Sequence, residues 1–197
     1  MKRLVLVRHG EPACGKGIFY GRKDVELSSR GKEESKKVVE ILKNLEITKI
    51  FSSPLRRCLY TALELSKVTG IDIEVVEVLQ ELDFGKWTGK SWEELSKYPE
   101  FWRIYEEETF SAPDGESLGD LKQRVRQFLR AFEKEKQGNY VCFTHSGVIR
   151  TFFLLLFSLP IKFFFNIEVS YLHFFVFEFF EDGIVLLKHW NTQSLSF

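Results

Sequence analysis

Arg8-His9-Gly10 and Thr144-His145-Ser146-Gly147 stand at the ends of two short apolar runs, "LVLV" and "YVCF". A histidine directly after a buried strand is well placed for chemistry, because open α/β sheets bind ligands at the carboxyl ends of their strands. Two of the four histidines sit there, whereas His173 and His189 fall inside strand patterns and are expected to be structural. A third cluster, "SSPLRRCLYTA" at 52–62, puts Arg56 and Arg57 in the first turn of a predicted helix. Cations there oppose the helix dipole, a cost that an anion would offset. Arginine grips phosphate through two parallel, charge-assisted hydrogen bonds. Adjacent helical residues diverge by about 100°, so only one of the two arginines can easily face a pocket. The chemistry that suits these residue types is the handling of a phosphate group.

A second chemistry competes for the same stretch. In "RHGEPACGKG", Gly10, Gly15 and Lys16 have the spacing of a nucleotide-binding loop. Such a loop needs a hydroxyl after the lysine to hold magnesium, and a helix whose free amides cradle the phosphates. Position 17 is glycine, and "IFYGRKDVEL" after it lacks helical spacing. The nucleotide reading fails, and Lys16 is expected to be a solvated loop charge or part of the site rim.

Alternating strands and helices must position these groups. "RLVLV" at 3–7 reads as a buried strand, followed by a long loop and a helix over about 30–45 with Val38, Val39, Ile41, Leu42 and Leu45 on one face. "KIFSS" is a second strand. Ser53-Pro54 predicts a capped helix over about 54–68, since serine caps free amides and proline suits the first helical position. "IDIEVVEV" at 71–78 alternates like a strand, and Ser91 with Glu94 predicts a helix start. Ser117 with Asp120 predicts another, ending near Gly138. "YVCFTH", "GVIRTFFLLLF" and "YLHFFVFEFF" read as strand, helix and strand, and Asp182-Gly183 as a hairpin turn. This order predicts an α/β layer architecture with a mainly parallel sheet.

In this order the motifs resemble the histidine phosphatase superfamily, also called phosphoglycerate mutase-like, over nearly the whole chain. They are "RHGE" at 8–11, S-x-L-x-R-x-x-x-T-A at Ser53, Leu55, Arg57, Thr61 and Ala62, "LQELDFGKWTG" at 79–89, "PDGES" at 113–117 and "THSGVIR" at 144–150. The resemblance implies a three-layer α/β fold, with a mainly parallel sheet flanked by helices and a phosphate pocket at the strand ends. It implies His9 as the nucleophile, Arg8, Arg57 and His145 as the groups holding the phosphoryl oxygens, and no metal or other cofactor. Arg57 is thereby favoured over Arg56. Glu81 is implied as the acid that protonates the leaving oxygen and then, as carboxylate, activates water. Asp83 and Glu77 are alternative carboxylates, but only Glu81 occupies the family's position. His9 must attack as neutral imidazole, so its other ring nitrogen should donate to an acceptor such as a backbone carbonyl. His145 is expected to be protonated.

The loops look most like those of alpha-ribazole phosphatases, the cobalamin-pathway branch that takes a 5′-phosphate from a nucleoside-like ester. A phosphoserine or broad-specificity phosphatase is the nearest rival. A phosphoglycerate mutase would carry a longer insertion and a more basic rim, and a noncatalytic phosphate binder is the remotest reading. Gly21, Arg22 and Trp87 are the candidate substrate contacts. The aromatic insertion, with Trp87, Trp92, Phe101, Trp102 and Tyr105, is read either as a stacking surface for a heterocycle or as the packing of a small cap. Pro12 and Gly15 stand where many relatives carry Ser or Thr and Asn.

Length and composition bound the rest. The 197 residues suit a single domain over 1–197, with a small helical cap inserted at about 85–117. Lysine plus arginine and aspartate plus glutamate balance at 28 each, so no global field points to nucleic acid or an anionic membrane. The expected partner is a small-molecule phosphate ester, and a homodimer is left open. Cys14, Cys58 and Cys142 lack C-x-x-C spacing and are odd in number, which argues against a disulfide framework and a zinc site and for a cytoplasmic setting. The run Leu4 to Val7 is too short for a signal-peptide core. "TFFLLLFSLPIKFFF" at 151–165 looks membrane-like, but Pro160 and Lys162 break it well short of the roughly 20 residues a spanning helix needs. A buried helix followed by a loop is expected there.

Overall fold

Leu4 to Val7 are apolar without interruption, so a strand here must be covered on both faces. The computed structural model describes residues 1–15, 17–104 and 106–193; Lys16 and Tyr105 lie outside the described residues. The strands are β1 (Lys2–Arg8), β2 (Ile47–Ser52), β3 (Ile73–Val75), β4 (Gly138–Thr144), β5 (Phe174–Phe179) and β6 (Val185–Thr192). They form one sheet in the order β3-β2-β4-β1-β5-β6. The first four in that order run parallel, while β5 and β6 add an antiparallel hairpin at the far edge.

Period-two alternation sorts the strand residues into two cores. Leu4, Leu6, Tyr140, Cys142, Phe175 and Phe177 pack under α5 (Leu118–Phe132) and α6 (Ser146–Leu156). Val5, Val7, Val141, Phe143, Phe174 and Val176 pack under α1 (Ser29–Leu42) and α2 (Arg56–Thr69). The result is the expected three-layer arrangement. The apolar stretch at 151–165 resolves into the end of α6, with Phe152, Phe153 and Leu154 buried, and a 3-10 turn at Ile161–Asn166 that follows Pro160. Among the described residues no helix is long and apolar enough to cross a membrane.

Several boundaries differ from expectation, and each difference bears on the site. The helix predicted from Ser53 begins two turn positions later, at Arg56, with Leu55 as its cap and no side-chain capping bond. The strand predicted over 71–78 pairs only across Ile73–Val75, because β3 is an edge strand; the chain then turns through a 3-10 segment, Glu77–Leu79, toward Glu81. The strand read from Tyr171 starts at Phe174. Before it Leu172 takes a positive φ of 56° and donates its amide to the Arg8 carbonyl (3.1 Å), which folds Tyr171 back over the end of β1. The Ser117–Asp120 capping box forms as predicted and starts α5, but α5 stops at Phe132. Between 85 and 117 lie two short helices, α3 (Trp92–Leu95) and α4 (Pro99–Arg103), and α4 buries its Phe101 and its C-cap Ile104.

Candidate active site

Parallel pairing of β1 with β4 puts Arg8 opposite Thr144, so the two histidine motifs leave the sheet side by side. The His9 amide donates to the Thr144 carbonyl (3.0 Å), and the His9 and His145 rings lie 5.2 Å apart between centroids. β2 ends beside them, where the Ser53 amide donates to the Phe143 carbonyl (2.9 Å). The Ser53 hydroxyl pairs with Nε2 of His145 at 2.8 Å, so it holds that ring instead of capping α2.

The first turn of α2 separates its two arginines as helical geometry requires. Arg56 points outward to Asp24 and Glu26. Arg57 is wholly buried and donates to the Lys23 carbonyl (3.0 Å) and the Gly21 carbonyl (2.6 Å). Arg8 donates to the Val169 carbonyl (2.7 Å), and its guanidinium lies 3.8 Å from the centre of the Tyr171 ring. The Nε atoms of Arg8 and Arg57 are buried with no hydrogen-bond partner. Buried donors are normally paired, so two cationic ones left free in one place describe the seat of an anion.

Nδ1 of His9 lies 2.8 Å from the Gly10 carbonyl. A carbonyl can only accept, so in the neutral ring Nδ1 carries the proton and Nε2 keeps its lone pair. Burial, then Arg57 and Arg8, hold the His9 pKa well below the usual histidine value. Burial, then Arg57 and His9, hold the His145 pKa well below the usual value too, which favours the neutral ring until an anion joins it.

An unfolded chain takes up protons near pH 6.5 that the folded histidines refuse, so their contribution favours folding above that pH and is lost as pH falls toward their folded values. A bound phosphate dianion reverses the balance by favouring the imidazolium. Inorganic phosphate is therefore expected to bind with net proton uptake at about pH 8, where it is already almost wholly the dianion. Calorimetric binding enthalpies should depend on buffer ionisation enthalpy, and a zero slope counts against this charge balance.

Glu81 reaches the site from the segment after β3. Its carboxylate accepts from the Leu82 amide (2.9 Å), the Gly147 amide (3.2 Å) and the Ser146 hydroxyl (3.3 Å) at the start of α6. Residue 147 must be small, since a Cβ there would overlap the carboxylate. The alternative carboxylates are engaged elsewhere. Asp83 accepts from the Gly85 amide in its own turn, and Glu77 accepts from Gln80 on the surface.

The three candidate substrate contacts separate. Gly21 does line the cavity beside Arg8 and Glu81, and at φ 44° it passes so close to the Leu82 carbonyl that a side chain would not fit. Arg22 is not in the cavity wall; it donates to the Glu81 carbonyl (3.2 Å) and pairs with Glu116 (3.1 Å). Trp87 packs on Phe101 and Phe110 and does not line the cavity. Trp92 and Phe84 face the cavity instead. Gly15 also lines it, whereas Pro12 bridges to Leu27.

Other members of the site were not singled out from the sequence. Tyr20 and Tyr171 flank His9, with ring centroids 6.4 and 5.7 Å away. Arg124 donates to the carbonyls of Val78 (2.7 Å) and Glu81 (3.1 Å) and forms a two-point pair with Glu116 (2.6 and 2.9 Å). It thus fixes the backbone that carries Glu81. Its signal was present, for Arg124 lies within the apolar stripe of α5 between Leu121 and Phe128.

A model of the histidine phosphatase superfamily, branch 1, matches residues 4–193. Phosphoserine phosphatase 1 of Hydrogenobacter thermophilus is 32% identical over 167 residues, covering 82% of this chain and 79% of that protein. A phosphoserine phosphatase of Entamoeba histolytica, solved in complex with phosphoserine, matches with a TM-score of 0.86 at 27% identity, over 98% of each chain. The alpha-ribazole phosphatase of Shigella flexneri matches with a TM-score of 0.87 at 22% identity, over 99% of this chain and 98% of the other.

Proposed function

The chain belongs to the histidine phosphatase superfamily, branch 1, and is a phosphatase hydrolase; from that premise we propose that it cleaves small phosphomonoesters by passing the phosphoryl group through His9. The observation that carries this reading is the neutral His9 ring, its Nδ1 proton held by Gly10, beside the two partnerless guanidinium Nε atoms of Arg8 and Arg57. Phosphoryl transfer needs chiefly positioning and stabilisation of charge on the equatorial oxygens, and these groups supply both.

In the first step His9 Nε2 bonds to phosphorus, the ester P–O bond breaks, and the leaving oxygen takes a proton from Glu81. In the second, water bonds to phosphorus and gives its proton to the Glu81 carboxylate as the N–P bond breaks. Inorganic phosphate and neutral His9 result. Arg8, Arg57 and His145 hold the phosphoryl oxygens throughout, and His145 gains its proton when the dianion arrives.

A nucleoside-like ester such as alpha-ribazole 5′-phosphate is favoured by the aromatic lining beside Glu81. Phosphoserine is the second reading, favoured by the 32% identity to a phosphoserine phosphatase. Incubation with a labelled phosphomonoester followed by acid or base quenching tests the reaction itself. Label should be retained after base, lost in acid, and absent from His9→Ala. Acid-stable label, or label persisting in His9→Ala, defeats the proposal. Strict dependence on a bisphosphate primer without phosphate release would indicate a mutase.

A further inference from the structure

A cavity of about 240 Å³ shares Arg8 and Glu81 with the phosphate site and extends away from them over an aromatic wall. Phe19, from the loop after β1, Phe84, three residues past Glu81, and Trp92, at the start of α3, form one part of its wall; Phe165, from the turn after Pro160, forms another. These rings already pack against each other, Phe19 on Phe84 at 4.8 Å in edge-to-face geometry and Phe19 parallel to Trp92 at 6.0 Å. Phe165 belongs to the apolar tract whose first half is spent on the core of α6, yet it is turned toward the site.

The charged side chains of the wall are Arg8, Glu81 and Arg150 among the described residues. Arg150 donates to the Ile167 carbonyl (2.9 Å) and lies 5.5 Å from the Phe165 ring centre. A leaving group carrying an ammonium would be repelled by two guanidiniums, and the carboxylate it would meet is Glu81, which the chemistry needs. A flat neutral ring escapes that repulsion and gains aromatic packing on several sides. The cavity is small for a ligand site, which fits one ring system rather than a polymer.

Resting on the phosphomonoesterase reading, we propose that this cavity is the leaving-group site and takes an uncharged alcohol built on an aromatic or heteroaromatic ring, with Phe84 and Phe165 as its specificity-determining residues. The test compares 2-phenylethyl phosphate, ethyl phosphate, O-phosphoserine and 3-phosphoglycerate. All four are alkyl esters, so differences in kcat/KM report the wall rather than the intrinsic ease of P–O cleavage. The phenylethyl ester is expected to lead the other three by at least about tenfold, the scale of a modest apolar contact. In Phe84→Leu and Phe165→Leu, which keep apolar volume but remove the ring, the ratio of phenylethyl to ethyl phosphate should fall about tenfold. Because it is a ratio within one preparation, partial misfolding does not move it. Phosphoserine turned over as well as the phenylethyl ester, or a ratio unchanged in both variants, overturns the proposal. Hydrolysis of none of the four defeats the phosphomonoesterase reading, and the proposal with it.

Discussion

Arg57→Met is expected to lower kcat/KM for any phosphomonoester by about 10³-fold, whereas Arg56→Met, one residue away, should stay within about twofold. The contrast follows from where one turn of α2 sends the two side chains. Arg56 is exposed and paired with Asp24 and Glu26 across the surface, where such pairs contribute little. Arg57 is fully buried, fixed by the Gly21 and Lys23 carbonyls, with Nε left for the ligand. A cationic donor held in a buried site costs no reorganisation when charge develops on the phosphoryl oxygens, so its loss falls mainly on the transition state. Arg57 is also among the causes that depress His9 and His145, after burial itself. Its removal should therefore raise both histidine pKa values, visible as an upward shift of the imidazole titrations by NMR. Steady-state kinetics with an aryl phosphate is the primary check, and a loss smaller than about tenfold would show that Arg57 does not hold the transferring group.

The same turn shows how far the sequence could be read. Helical geometry required that only one arginine face inward, and the family pattern selected Arg57. The start of α2 differs from the Ser53-Pro54 expectation because the Ser53 hydroxyl meets the amide of Leu55 (3.4 Å) and the ring of His145, which follows β4, so the first helical turn opens only after Leu55. Buried strands were legible wherever alternation or an unbroken apolar run persisted, as in β1, β4 and β5, since burial on both faces imposes those patterns. Between Leu79 and Ser91 no regular element imposes a period. The sequence therefore places aromatics near the site without saying that Phe84 and Trp92 face the cavity and Trp87 packs on Phe101. Tyr171 was lost for a related reason. It reads as the first residue of a strand, but the positive φ at Leu172 folds it back over Arg8.

Gly147→Ala should reproduce the loss of Glu81 without touching it. A Cβ at this position meets the Glu81 carboxylate, and the partner that can give way is that flexible side chain rather than the backbone of α6. Within a helix alanine is favoured over glycine by roughly 0.5–1 kcal/mol, so the melting temperature is expected to hold or rise while activity falls. A displaced general acid–base costs typically about 10²–10⁴-fold, and with Glu81 in both roles the cost depends on the leaving group. Alkyl phosphates need the proton, so their turnover should fall about 10²-fold or more with no burst. For p-nitrophenyl phosphate the leaving oxygen departs unprotonated, so the first step is spared and only water attack on phospho-His9 is slowed. Rapid mixing should then show a burst of nitrophenolate near one equivalent per site, followed by a slow steady rate. The Arg124–Glu116 clamp still holds the Glu81 backbone in this variant, which confines the change to the carboxylate. Equal losses on alkyl and aryl esters with no burst would assign the acid and base steps to some other group.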